Sequence, residues 1–71
     1  MSMTELQRIG QQIQQRRKSL GLTQTELAML CDLSINGISN IEQGKTDVRW
    51  GTLMKIGQIL GFQIQLQWSA L

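Results

Sequence analysis

Apolar residues recur at helical spacing over most of the chain and switch to strand spacing at its end. Leu6, Ile9, Ile13 and Leu20 make one stripe, separated by glutamines and charges, and predict a first helix over residues 4–19. Gly21 is placed to end it. Thr23-Gln24-Thr25-Glu26 is a capping box, which predicts a second helix through about Leu30 with Leu27 and Leu30 turned inward. CDLS reads as a tight turn, and Ser34 is a good N-cap for a third helix over roughly 34–42. Gly44 ends that helix and KTDVRW reads as a loop. A fourth helix follows at about 51–60, carrying the Leu53–Ile56–Leu60 stripe, and Gly61 stops it.

Beyond Gly61 the period changes. Phe62, Ile64, Leu66 and Trp68 alternate strictly with Gln63, Gln65 and Gln67, predicting a strand over 62–68 with one apolar face. Nothing earlier reads as a second strand. A lone strand leaves its backbone groups unpaired and its apolar face bare, so the available partner is the same strand of a second copy. Residues 1–61 then form a helix-turn-helix domain, and residues 62–71 a dimerisation strand and tail. Met54 and Ile59 lie off the main stripe of helix four and would give it a second buried face beside the strand. A disordered tail is the alternative, and four large apolar residues in strict alternation argue against it.

At 71 residues the chain makes one small domain, which often recruits a staple or a second subunit. One cysteine allows no intrachain disulfide, and the lack of histidine leaves no zinc site, so no cofactor is expected. Cys31 reads as a small core hydrophobe. No signal peptide or apolar run near the roughly 20 residues of a membrane span is visible, so a reduced, cytoplasmic setting is expected. The net charge of +2 and a pI of about 9.2 are compatible with nucleic acid. With no histidine, no paired carboxylate site and no glycine-rich phosphate loop, an enzyme is not expected.

Two short helices joined by a tight turn inside a helical bundle describe a helix-turn-helix. With Ile38 and Ile41 inward, a turn of about 100° per residue sets Asn36 almost opposite the core, flanked by Ser39 and Asn40. Asparagine is one of the few side chains that can bond adenine N6 and N7 together in the major groove. Outside a helix-turn-helix, the same residues would read as an ordinary solvated face. Lys45 and Arg49, in the next loop, are natural phosphate neutralisers, although loop solubility explains Arg49 nearly as well. Gly37 permits either a close approach to DNA or nothing at all. Arg17 is the oddest charge, since it falls within the apolar stripe of helix one, where an unpaired cation is costly. Glu42 lies on the shoulder of helix three's inward face.

The stretch LTQTELAMLCDLSINGISNIEQGKTDVRWGTLMKIGQILG closely resembles the lambda-repressor/Cro-type helix-turn-helix, or XRE family. The resemblance covers about Arg17 to Gly61, anchored on TQTELA, ISNIEQGK and TLMKIGQILG. It implies that Gln24 binds a backbone phosphate and that Arg17 pairs with Glu42 in a partly buried salt bridge. It also turns Ile35 toward the groove, within reach of a thymine methyl, although the family more often has a polar residue there. Ser34 is counted with this DNA-facing set. DVRWGTLMKIGQILGFQIQLQW is further similar to the HipB branch, antitoxins whose fourth helix is followed by a short strand. That branch implies a homodimer joined through a two-stranded sheet, and a HipA-type kinase toxin as partner.

The expected fold is therefore all-α: a lambda-repressor-like helix-turn-helix bundle of four helices, with a C-terminal β-strand in an intersubunit sheet. Met54, Ile59, Phe62, Ile64, Leu66 and Trp68 are the expected dimerisation residues. The expected function is sequence-specific repression by a homodimer on a palindromic double-stranded DNA operator, with half-sites ~34 Å or a multiple of that apart. More narrowly, it is the HipB-like antitoxin of a type II toxin–antitoxin operon. The alternatives are a free-standing, prophage-type repressor and a toxin-binding module that does not read DNA.

Overall fold

The computed structural model describes residues 2–70, and its regular structure is four helices: α1 (Glu5–Ser19), α2 (Gln24–Cys31), α3 (Ile35–Glu42) and α4 (Trp50–Leu60). Three of the four starts are chemically marked. Thr4 and Thr23 accept from the backbone N–H three residues on, and Gln7 and Glu26 accept from the N–H of the cap residue, so α1 and α2 both open with reciprocal capping boxes. Ser34 Oγ accepts from the Gly37 N–H at 2.9 Å and starts α3. Helix α4 has no side-chain cap. Between α2 and α3, Asp32 takes the left-handed conformation (φ 56°) and the Leu33 N–H returns to the Ala28 carbonyl at 2.8 Å. Those two features reverse the chain within three residues.

The core is built from Ile13, Leu27, Ala28, Cys31, Ile38, Ile41, Ile56 and Leu60. Helix α1 packs chiefly on α3, while α2 bridges α3 and α4. The closest approach is at Gly10, where a Cβ would run into the carbonyl oxygens of Ile41 and Glu42, the latter at 2.6 Å. Glycine there lets α1 lie directly on the end of α3.

Several expectations are corrected. Leu30 is 55% exposed, not inward. The buried face of α2 is Leu27, Ala28 and Cys31, and Leu30 points about 100° away from its centre. Ile9 and Leu20 sit at the exposed margin of the α1 stripe, leaving Ile13 as its buried apolar member. Of the pair given to a second face of α4, Ile59 packs on the core while Met54 is exposed.

The strand expected over 62–68 is not formed: residues 62–70 carry no regular secondary structure. Among the described residues no second strand is present to receive its hydrogen bonds, and the Phe62 N–H is already turned back to the Gly57 carbonyl at 3.0 Å. Phe62 packs on the core, its ring lying against Gly57, where a Cβ would be 3.1 Å from Cε1. Ile64 is half-buried. Leu66 and Trp68 stand 76% and 85% exposed, so only the first half of the apolar face is covered within one chain. The expected dimerisation segment runs on to residue 71, which lies outside the described residues.

Candidate nucleic-acid interface

Helix α3 is held by its inner face. Ile38, Ile41 and Glu42 are buried, which turns Ile35, Asn36, Asn40 and Gln43 to solvent. Asn36, Asn40 and Gln43 follow one another at the i, i+4, i+7 spacing of a single helical stripe. Among the described residues neither asparagine carboxamide is engaged in a hydrogen bond, so each keeps a donor and an acceptor for a base edge. The serines are differently committed. Ser34 caps the helix, and half-buried Ser39 accepts from Gln43 Nε2 at 2.7 Å. Ile35, 47% exposed, projects beside the asparagines as the apolar member of the face.

Behind the face lies a buried polar cluster. The Glu42 side chain is wholly buried and that of Arg17 is 7% exposed. Arg17 Nε donates to Glu42 Oε2 at 2.6 Å and Arg17 Nη2 to Oε1 at 3.0 Å, a two-point pairing. Arg17 Nη1 donates to the Leu22 carbonyl at 2.7 Å, and Gln24 Nε2 donates to Glu42 Oε1 at 3.0 Å. Four sites along the chain are thereby tied at one point: the end of α1, the α1–α2 turn, the first residue of α2 and the last of α3. No buried side-chain nitrogen or oxygen among the described residues lacks a partner. The resemblance assigns Gln24 to DNA, yet in the free chain its amide already faces inward to Glu42.

Lys45 and Arg49 are exposed on either side of the α3–α4 loop. The Lys45 N–H bonds the Asn40 carbonyl at 3.0 Å, so this cation leaves directly from the end of α3. Among the described residues no cluster of three metal-ligating side chains occurs. Burial pushes the Cys31 thiol above its ordinary pKa, which makes it inert packing.

A helix-turn-helix domain model matches residues 8–67. The chain belongs to the helix-turn-helix domain family. The solved structure of the restriction-modification controller protein C.AhdI from Aeromonas hydrophila is similar to it, with a TM-score of 0.80 and 27% identity. That likeness covers 83% of this chain and 89% of C.AhdI. No curated protein matches. This helix-turn-helix protein is thus of the XRE type, a DNA-binding transcription regulator and not an enzyme.

Three features of this helix-turn-helix protein escaped the sequence reading. Gln43 extends the α3 stripe, and the spacing that singles out Asn36 and Asn40 would have found it. Arg16 donates from Nε to the Leu60 carbonyl at 2.8 Å, tying α1 to the end of α4, where the C-terminal segment departs. No sequence signal distinguishes it from its neighbours in the basic run. The third is the Gln24–Glu42 bond, which depends on how α2 and α3 pack. Residues 62–64 line two open grooves, one shared with Ile13 and Leu53 and the other with Trp50, Met54 and Gly57. No helix among the described residues is long and apolar enough to cross a membrane.

Proposed function

We propose that this regulator reads DNA with α3 as a homodimeric, sequence-specific repressor. In this reading residues 1–61 form the DNA-binding domain and residues 62–71 join two copies. The observation that carries it is the solvent-facing stripe of α3, with two asparagine carboxamides free to bond base edges. Asn36 and Asn40 select the sequence, and Ile35 supplies an apolar contact to a thymine methyl. Gln24, Lys45 and Arg49 hold the phosphates on either side. Ser34 and Ser39 support the face by capping the helix and by fixing Gln43. Enrichment of duplexes from a random-sequence library tests this directly. A shared motif is expected with the natural chain, and enrichment without any motif would contradict it.

Two operon settings suit such a regulator. The likeness to C.AhdI, named as a restriction-modification controller, favours control of a restriction-modification pair. The alternating segment FQIQLQW favours the HipB-like antitoxin instead. There Met54, Ile59, Phe62, Ile64, Leu66 and Trp68 form the intersubunit sheet and its apolar backing, and a HipA-type kinase toxin is the second partner. The exposed Leu66 and Trp68 support a role for this segment in association. Co-purification with the product of the adjacent gene separates the two settings: a kinase selects the antitoxin, and a restriction or methylation enzyme gene beside it selects the controller.

A further inference from the structure

The link between the buried ion pair and the DNA-facing surface is a single carboxamide, that of Gln24. We infer that Glu42 is a positioning residue for DNA binding and acts through Gln24. Its buried carboxylate holds one N–H of the Gln24 amide and thereby presents the second N–H of the same nitrogen to a DNA phosphate. The inference rests on the reading of Gln24 as a phosphate-facing residue.

A carboxamide has a donor end and an acceptor end of nearly equal shape, and a half-turn exchanges them. Only the donor end suits a phosphate. An ionised carboxylate accepts and never donates, so Glu42 allows only the nitrogen of Gln24 to face it, at 3.0 Å. Glu42 itself cannot follow Gln24 outward, because two bonds from Arg17 hold it and a third fixes Arg17 to the Leu22 carbonyl. Gln24 is half-buried at the first residue of α2, with one side against Glu42 and the other toward solvent. One N–H is used inward, leaving the other for an incoming phosphate. The glutamine rotamer is then ordered before DNA arrives, which removes that ordering cost from binding. Because Glu42 is the last residue of α3, the same bond also fixes the phosphate-facing end of α2 relative to the reading helix.

The test is a double-mutant cycle of Gln24→Ala and Glu42→Gln. Each variant is checked for folding by thermal melting and titrated with two duplexes, one enriched from a random library by the natural chain and one of unrelated sequence. Gln24→Ala is expected to weaken both complexes about tenfold, as loss of a hydrogen bond to a charged group should. In the Glu42→Gln background it should weaken them about twofold or less, and Glu42→Gln alone should leave the ratio of the two affinities unchanged. An equal loss from Gln24→Ala in both backgrounds would overturn the inference. So would a fall in that ratio in Glu42→Gln, which would mean that Glu42 merely props up α3. Gln24→Lys, which carries donors only, should restore binding to Glu42-containing protein, and a Gln24→Met protein that binds like the natural chain would also overturn it. Should Glu42→Gln fail to fold, the side-chain amide resonances of Gln24 in the natural chain decide the matter. One N–H should be protected in the free protein and the other should shift when duplex is added, whereas two freely exchanging protons would refute the link. A chain that enriches no motif yet shows the coupling on the unrelated duplex would refute the sequence-reading proposal and leave this one standing.

Discussion

At the residue scale, the Arg17–Glu42 pair has the greatest leverage on the fold. Two charges taken out of water need nearly complete hydrogen bonding, and here Glu42 accepts three bonds while Arg17 makes one more to backbone. Glu42→Ala strands the guanidinium and should destabilise the chain by about 3–5 kcal/mol in urea unfolding. Replacing both, as Arg17→Met with Glu42→Leu, should cost less than either single change, and additive costs would show that the two do not interact. Glu26 carries a smaller, pH-dependent contribution. The Thr23 backbone N–H, and next its hydroxyl, hold the Glu26 carboxyl below its usual value of 4.5. A depressed carboxyl stabilises the fold above its unfolded pKa, and that contribution is lost as pH falls through the folded value. Glu26→Gln should therefore flatten the decline in stability on acidification below about pH 4.5, measured by thermal melts at several pH values.

At the scale of elements, local chemistry made the four helices legible and tertiary contact decided what was not. Thr23 and Ser34 are caps that act through residues three positions away, so their signal lies within a few letters of sequence. The α3 face was equally legible, because Ile38 and Ile41 fix its rotation. Leu30 departs from the inward position expected of it because only the packing of α2 between α3 and α4 selects Leu27, Ala28 and Cys31 as the buried face. Gly10 gave no signal either, since its role exists only where the end of α3 lies on it. Gly10→Ala should cost about 1–3 kcal/mol, as overpacking does, because the added carbon meets backbone carbonyls that cannot turn aside. For the C-terminal segment, sequence period indicates a strand but strand formation needs a partner, which the described residues of one chain do not supply. If a second copy supplies it, Leu66→Ala with Trp68→Ala should dissociate the dimer in sedimentation while leaving the helices intact, since both side chains are exposed in one chain. Unchanged sedimentation would remove this segment from the interface.

For the whole molecule, shape and charge bear on how it meets DNA. The radius of gyration is 12.5 Å, above the ~11 Å usual for a chain of this length, as the 62–70 segment trails from the bundle. A net charge of +2 gives little long-range attraction, so affinity should come from a few placed cations such as Lys45 and Arg49. Lys45→Ala is expected to weaken binding to all sequences alike and to reduce the slope of log affinity against log salt by about one. If α3 selects the sequence and its surroundings hold the backbone, the two roles must separate in a single titration. The direct measurement compares the natural chain with the Asn36→Ala/Asn40→Ala double variant on the enriched duplex and on an unrelated one, at one salt concentration. The account predicts that the double variant, still folded, falls to a common low affinity on both duplexes while its binding to the unrelated one is unchanged. An undiminished preference for the enriched duplex would contradict it, because the selecting face would then lie elsewhere.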